Sequence, residues 1–442
     1  MTVPNFPRIL FVTPVAFNPY TGGGATFSSL FRGWPKDRLA TIHNDPTRTS
    51  DDVCELYFKL TFRELDLVPP FNMIRRSTRA DGIAAVANGN NDLPHVQQLR
   101  SLAKDRLRLF LFGDSLPETS QLTPKLERWI SNYKPEVLYT ILGGNGMMSL
   151  IEKIRVQFKL PLVVHIMDDW ASSAHRHGIF APVEYWRMHR WLKHFFTIAT
   201  ASFGISPAMC EAYAERYGRP FTAFQYALEM DRWAGIEKSN LTAADPPELL
   251  YVGSIFREAQ LDSLVDCAKA VAELNNGGFA ARLNIITSEN NAHQFGRTLE
   301  LHPNIRVLPP IPEERQYFAT LAAADVLLLP VNFDQHSIDF VRYSMPTKIP
   351  AYLKSGTPVL IYGPAETAQA RYAIDDGWGY AVKQRSLGEL KDAMKRIIRD
   401  MEIRERLSAA ARVAALNHDA SAVRSEFQDL LCRSVPTQLS SI

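Results

Sequence analysis

Pro346-Thr-Lys-Ile-Pro-Ala-Tyr-Leu-Lys-Ser-Gly-Thr-Pro-Val-Leu360 is the stretch on which the fold turns. Apolar residues at helical spacing (Ile349, Tyr352, Leu353) lie between Pro346, which suits a first helical turn, and Gly356, which accepts the left-handed conformation that ends a helix. A strand, Pro358 to Tyr362, follows at once. Upstream lie a second strand, Val326 to Val331, and a polar loop, Asn332 to Met345. The order strand, loop, helix N-terminus, strand brings free backbone amides, a positive helix end and Lys348 to the carboxyl edge of a sheet. Phosphates bind at such edges in α/β proteins. Ser344, Met345, Pro346, Thr347 and Tyr352 are the expected binding residues around Lys348.

Working outward, 442 residues exceed one ordinary core, and two domains are expected. Hydrophobic residues make up 46% and charged residues 22%, the composition of a packed globular chain. A net charge of +2 implies no nucleic-acid footprint. The four cysteines (Cys54, Cys210, Cys267, Cys432) form no Cys-x-x-Cys pair, which argues against a zinc site or disulfide framework and suits a reducing cytoplasm. Met1 to Arg8 lacks a signal-peptide pattern, and no run approaches the roughly 20 apolar residues of a membrane span. Any membrane contact is therefore expected at a surface, at most on the inner face.

The first half reads as strands alternating with helices. Arg8 to Val15 is a buried strand that runs into Gly22, Gly23 and Gly24, then a helix from Ala25 to Phe31. That glycine turn is either an anion cradle or a plain tight turn, and it does not have the Gly-x-Gly-x-x-Gly spacing of a dinucleotide site. Leu39 to His43 is strand-like. Arg75 to Arg79 and a helix from Gln97 to Leu111 carrying Arg100, Lys104, Arg106 and Arg108 are basic. They read as a solvated face, with anionic lipid or acceptor contact as the alternative. Leu162 to Met167 is a strand that ends at Asp168, Asp169 and Trp170. His165 and Asp168 are candidate reactive groups there; the alternatives are a core histidine and a capping acid. Glu184 to Phe196 is an aromatic, basic helix, read as core-facing with a basic outer face, with rest on a membrane surface as the alternative. Ser206 caps a helix that Pro207 begins.

A connector, Lys238 to Pro247, separates the expected domains, 1–237 (completed by about 417–442) and 246–416. The pattern then restarts. Leu249 to Val252 is a strand, Gly253-Ser254 a turn, and strands from Ala281 and Asn304 alternate with helices up to the opening stretch. Such alternation means parallel sheets with right-handed crossovers. Helices from Leu387 to about Ala415 and from Ala420 to Leu431 complete the chain.

Leu249-Leu-Tyr-Val-Gly-Ser254, Ala323-Ala-Asp-Val-Leu-Leu-Leu-Pro330 and Pro346 to Val359 resemble the GT-B glycosyltransferases, the retaining family 4 in particular. His165-Ile-Met-Asp-Asp-Trp170 is similar to an Asp-Leu-Trp segment of some members. The resemblance implies an α/β GT-B fold, with two Rossmann-like domains facing a cleft and a C-terminal helix packed back on the first. It implies a nucleotide-diphosphate sugar donor in the second domain and a carbohydrate or lipid-linked acceptor in the first, with no separate cofactor and no metal. Lys348, Arg257 and the amides from Ser344 to Lys348 would stabilise the leaving phosphate.

Two family glutamates fall on Tyr343 and Ala351 here, leaving Asp334, Asp339 or Glu366 as substitutes. A non-catalytic sugar-nucleotide-binding module is the alternative. An epimerase fits the altered glutamates poorly, and a dehydrogenase lacks its fingerprint.

Overall fold

The computed structural model describes residues 6–69, 71–72, 111, 113 and 117–435. Arg75 to Arg79 and the expected basic helix, Leu111 apart, lie outside the described residues.

The chain opens with β1 (Ile9–Thr13), α1 (Gly22–Phe31), β2 (Leu39–His43) and β3 (Leu56–Lys59). β4 (Leu65–Leu67) and β5 (Glu118–Ser120) form a small antiparallel pair. Then come α2 (Pro124–Tyr133), β6 (Val137–Thr140), α3 (Asn145–Phe158), β7 (Leu162–Ile166), α4 (Trp170–Ser173), α5 (Ala181–Ile198), β8 (Ala201–Gly204), α6 (Pro207–Tyr217) and β9 (Thr222–Ala223). The first sheet has the order β3-β2-β1-β6-β7-β8-β9, with every pairing parallel. Every residue of β1, β2, β6 and β7 is buried, as a parallel sheet covered on both faces requires.

The second half runs β10 (Glu248–Val252), α7 (Leu261–Asn276), β11 (Arg282–Ile286), α8 (Glu289–Leu299), β12 (Ile305–Leu308), α9 (Glu314–Ala323) and β13 (Val326–Pro330). It continues through α10 (Gln335–Val341), α11 (Ile349–Ser355), β14 (Val359–Tyr362), α12 (Ala368–Asp375), β15 (Gly379–Val382), α13 (Leu387–Arg399) and α14 (Met401–Ala415), and α15 (Ala420–Arg433) follows. The second sheet, β12-β11-β10-β13-β14-β15, is also all parallel.

α15 returns to the first half. Phe427 sits with its ring centroid 5.1 Å from that of Phe31 and 5.2 Å from that of Phe224, inside the aromatic cluster around Tyr139 and Phe203. The two crossings between the halves lie side by side: the Leu228 N–H donates to the His418 carbonyl at 2.8 Å, and the Ala420 N–H to that of Leu228 at 2.9 Å. Beside them Trp233 stacks on Phe318, centroids 4.0 Å apart. Lys238 Nζ donates to the carbonyls of Ala322 and Ala324 at the end of α9, a position where a cation offsets the negative helix end.

Several local readings change. The helix of the opening stretch starts at Ile349, with Pro350 rather than Pro346 in its first turn. Gly22, Gly23 and Gly24 are the first turn of α1 and not a preceding loop. The polar loop after β13 contains α10, started by Asp334, whose Oδ1 accepts the Ser337 N–H. The expected long helix from Leu387 breaks at Asp400, which caps α14 through the Ile403 N–H at 3.1 Å. α5 buries Met188, Leu192, Phe195 and Phe196, as a core-facing helix should. Among the described residues, no helix is long and apolar enough to cross a membrane.

Candidate active site at the junction of the two halves

β10 ends at Val252, and the chain turns at Gly253 with φ +141°, a conformation that side chains rarely adopt. Tyr352 of α11 is fully buried beneath this turn, its hydroxyl accepting the Val252 N–H at 3.1 Å. That bond fixes α11 against the strand and puts Lys348, at the N-cap of α11, beside Gly253. A Cβ on Gly253 would stand 3.0 Å from Lys348 Nζ, so the missing side chain is the room the ammonium occupies. The ammonium lies 4.0 Å from the centroid of the Tyr251 ring. Desolvation by these walls lowers its pKa from the usual lysine range to about 7, with no charged partner contributing.

The first half meets this loop at several points. Ser344 Oγ donates to Asp168 Oδ1 at 2.9 Å. Asp168 is open to solvent on one side and hemmed by protein on the others. Desolvation outweighs the Ser344 bond and raises its pKa to about 6. Ser206 caps α6 by accepting the Met209 N–H at 3.1 Å and donates its own proton to the Tyr343 carbonyl at 2.7 Å. Arg176 reaches Asp339 of α10 at 3.2 Å, and Asp339 also holds Arg342. At the start of α1, a Cβ on Gly22 would lie 3.9 Å from the Thr347 methyl, so this helix N-terminus faces the Lys348 loop. Thr21 Oγ1 caps α1 through the Gly24 N–H at 3.2 Å. Gly24 is glycine for packing, since a Cβ there would overlap the Asn18 amide. The Gly22 and Gly23 amides are first-turn donors, which have no partner within a helix.

The other expected site residues lie elsewhere or do other work. His165 is wholly buried in β7, with Nδ1 2.6 Å from the Tyr139 hydroxyl, and desolvation lowers its pKa to about 3. It is a core histidine and does not reach the junction. Asp169 is also buried, held by the Tyr213 hydroxyl at 2.7 Å and by Arg216 at 3.1 Å, so of the adjacent acids only Asp168 faces Ser344. The Arg257 guanidinium lies over the Phe295 ring of α8. Ser254 is exposed, and its carbonyl accepts the Tyr251 hydroxyl at 2.6 Å. Met345 packs in the core, and Pro346 continues the loop to Thr347. Ala351 is core too. Asp334 is occupied as a helix cap, and Glu366 lies 3.6 Å from Arg342. Ser206 and Arg176 were not singled out for the site: the Ser-Pro pair signals a cap, but nothing local signals a second bond to a residue 137 positions away. Among the described residues, no group of three or more His, Cys, Asp or Glu is placed to hold a metal ion.

Among the described residues, the arrangement offers an ammonium without an ionic partner, two sets of backbone donors facing each other and a carboxyl group whose pKa is raised to about 6. Together they suit a ligand with paired anionic groups and a reacting hydroxyl.

No family model matches the chain, and no curated protein matches it in sequence. Solved structures do. WaaG, a glycosyltransferase involved in lipopolysaccharide biosynthesis, is 12% identical with a TM-score of 0.58, over 96% of this chain and 99% of that one. Sucrose-phosphate synthase from Thermosynechococcus elongatus is 13% identical with a TM-score of 0.60, over 96% and 98%. HepE of Anabaena, solved in complex with UDP and glucose, is 12% identical with a TM-score of 0.57, over 96% and 99%. At such identities the likeness establishes the fold: two Rossmann-like parallel-sheet domains in the GT-B arrangement.

Proposed function

We propose that this protein is a glycosyltransferase that moves a sugar from a nucleotide-diphosphate sugar to a carbohydrate or lipid-linked acceptor, with retention of configuration. The observation that carries the reading is the Lys348 ammonium, desolvated, without a charged partner and set at a gap that only Gly253 leaves open. A desolvated cation kept unpaired is costly unless a ligand supplies the anion. The solved complex of HepE with UDP and glucose supports a nucleotide sugar as that ligand.

In this reading the pyrophosphate lies between Lys348 with the Met345, Thr347 and Lys348 amides on one side and the Gly22 and Gly23 amides on the other. The Ser344 N–H is already held by the Val341 carbonyl at 3.0 Å, and Pro346 has no N–H. Lys348 stabilises the charge that grows on the departing phosphate, which takes the acceptor proton. Asp168 stands on the acceptor side. Arg257 would have to leave Phe295 to contribute. Lys348→Ala is expected to lower transfer about 100-fold or more, with little change in the thermal melt. Unchanged turnover would remove Lys348 from the mechanism. Product anomers read by NMR test retention, and an inverted product refutes it.

Ala351, sealed in the core where a ribose-binding glutamate would stand, favours one other reading, a module that binds a sugar nucleotide without turnover. Screening a panel of sugar nucleotides separates the two: binding with no release of nucleoside diphosphate selects the module.

A further inference from the structure

Asp169 stands next to the acid that crosses the junction, and its side chain does no local work. It precedes α4, yet its carboxylate accepts none of that helix's first backbone N–H groups. Four side-chain hydrogen bonds converge on it instead. The Tyr213 hydroxyl donates to Oδ1 at 2.7 Å and Ser172 Oγ to Oδ2 at 2.6 Å, while Arg216 spans both oxygens at 3.1 and 3.3 Å. The Arg216 guanidinium also lies 4.9 Å from the centroid of the Tyr213 ring. A carboxylate only 3% exposed persists when its charge is paired and its oxygens are filled, and this one meets both conditions. Tyr213 and Arg216 belong to α6 and Ser172 to α4, so the end of β7 fastens two helices together.

Both ends of the fastened segment reach the second half. Asp168, immediately before it, accepts Ser344 Oγ at 2.9 Å. Arg176, shortly after α4, donates through Nε and Nη2 to the Ser172 carbonyl at 3.1 and 2.7 Å, and from there meets Asp339 at 3.2 Å. Ser172 is in turn held to Asp169 twice, by its hydroxyl and by its N–H, which donates to the Asp169 carbonyl at 3.0 Å. We propose that Asp169, gripped by Arg216, is a positioning residue that fixes Asp168 and Arg176 at the junction, and through Asp168 orients the acceptor hydroxyl for transfer. The orienting role rests on the transfer reading; the placement does not. Asp169 is buried and acts only through its neighbours. The effect on rate is large all the same, because a shift of about 1 Å in a reacting geometry costs up to about 100-fold. Arg216 adds a second effect, since it neutralises a carboxylate one residue from Asp168, where two bare negative charges would repel.

The test compares Asp169→Ala, Tyr213→Phe, Arg216→Ala and Arg216→Lys with Asp168→Ala in the whole protein, with UDP-glucose as donor and water as acceptor. Asp169→Ala is expected to lower kcat about 10- to 100-fold, while the Kd of UDP-glucose, by calorimetry, stays at the wild-type value. Tyr213→Phe, which keeps the ring in the core, should lose less in the same direction, and Arg216→Lys should recover part of what Arg216→Ala loses. Asp168→Ala/Asp169→Ala should be no slower than Asp168→Ala alone, since a residue acting through another adds nothing once that one is gone. Losses that multiply in the double variant, or wild-type rates in Asp169→Ala, overturn the orienting role. A wild type that leaves UDP-glucose intact, or an Asp168→Ala protein as fast as wild type, overturns it too, by removing the transfer reading on which it rests. Amide exchange over residues 168–176, measured without ligand, judges the placement independently of turnover. It should quicken about tenfold in Asp169→Ala, with peptides of the second half unchanged. An unchanged rate in that segment overturns the inference as a whole.

Discussion

Lys348 and Gly253 act as one unit: the glycine gives the space, and the lysine fills it with a charge that none of the described residues neutralises. Gly253→Ala meets both a positive φ and a 3.0 Å contact with the ammonium. It should cost about 1–3 kcal/mol of stability, read by calorimetry, and should weaken donor binding as the ammonium is displaced. The titration of Lys348 has two consequences of opposite sign. Its folded pKa, about 7, lies below the ordinary lysine value. Between those values the unfolded chain holds the extra proton, so folding becomes more favourable as pH rises through that window. Below pH 7 both states are protonated, and the desolvation penalty is complete. Lys348→Met should therefore be at least as stable as the wild type at pH 6, by thermal melt without ligand. A diphosphate, by contrast, needs the ammonium. Titrations with whichever sugar nucleotide binds should show weaker affinity at pH 8.5 than at pH 6.5, with proton uptake at the higher pH.

At the scale of elements, Ser206 joins the start of α6 to the main chain at Tyr343. Ser206→Ala removes a cap worth about 0.5–2 kcal/mol and frees the loop that leads into Lys348. A lower melting temperature together with a raised KM for donor is the expected pair, and a melting change alone would limit Ser206 to capping. Both sheets were legible in the sequence because a buried parallel strand is a continuous apolar run, and Val326 to Pro330 and Leu162 to Ile166 read as that. The cap at Ser206 and the stop at Gly356 were legible because they are local chemistry. α10 was not, because seven residues as polar as Gln-His-Ser-Ile-Asp-Phe-Val carry too little periodicity to separate from a loop. His165 read as ambiguous because a core histidine and a reactive one share the same strand pattern. Only the Tyr139 hydroxyl on its Nδ1 decides between them.

For the whole molecule, the polar contacts that join the halves around the site are few among the described residues: Ser344 with Asp168, Ser206 with Tyr343, and Arg176 with Asp339. The Arg176–Asp339 ion pair contributes up to about 1 kcal/mol and each of the two hydrogen bonds about 0.5–1.5 kcal/mol, so these hold one arrangement of the domains without locking it. Removing two of them, in Arg176→Ala/Ser344→Ala, should enlarge the radius of gyration of the free protein in solution scattering, with donor restoring the compact value. An unchanged scattering curve with and without donor would mean that the hydrophobic seam at Trp233 and Phe318 fixes the arrangement by itself. The return of α15 bears on a different stage of the protein's life. Phe427 completes an aromatic cluster whose members in contact with its ring, Phe31, Tyr139, Phe203 and Phe224, are synthesised about 200 to 400 residues earlier. On the ribosome the first domain therefore emerges with an unfilled aromatic socket and waits for the entire second domain before it can close. Its vulnerability to aggregation is set by the speed of translation, and a slow stretch of codons between residues 240 and 420 would prolong the exposure.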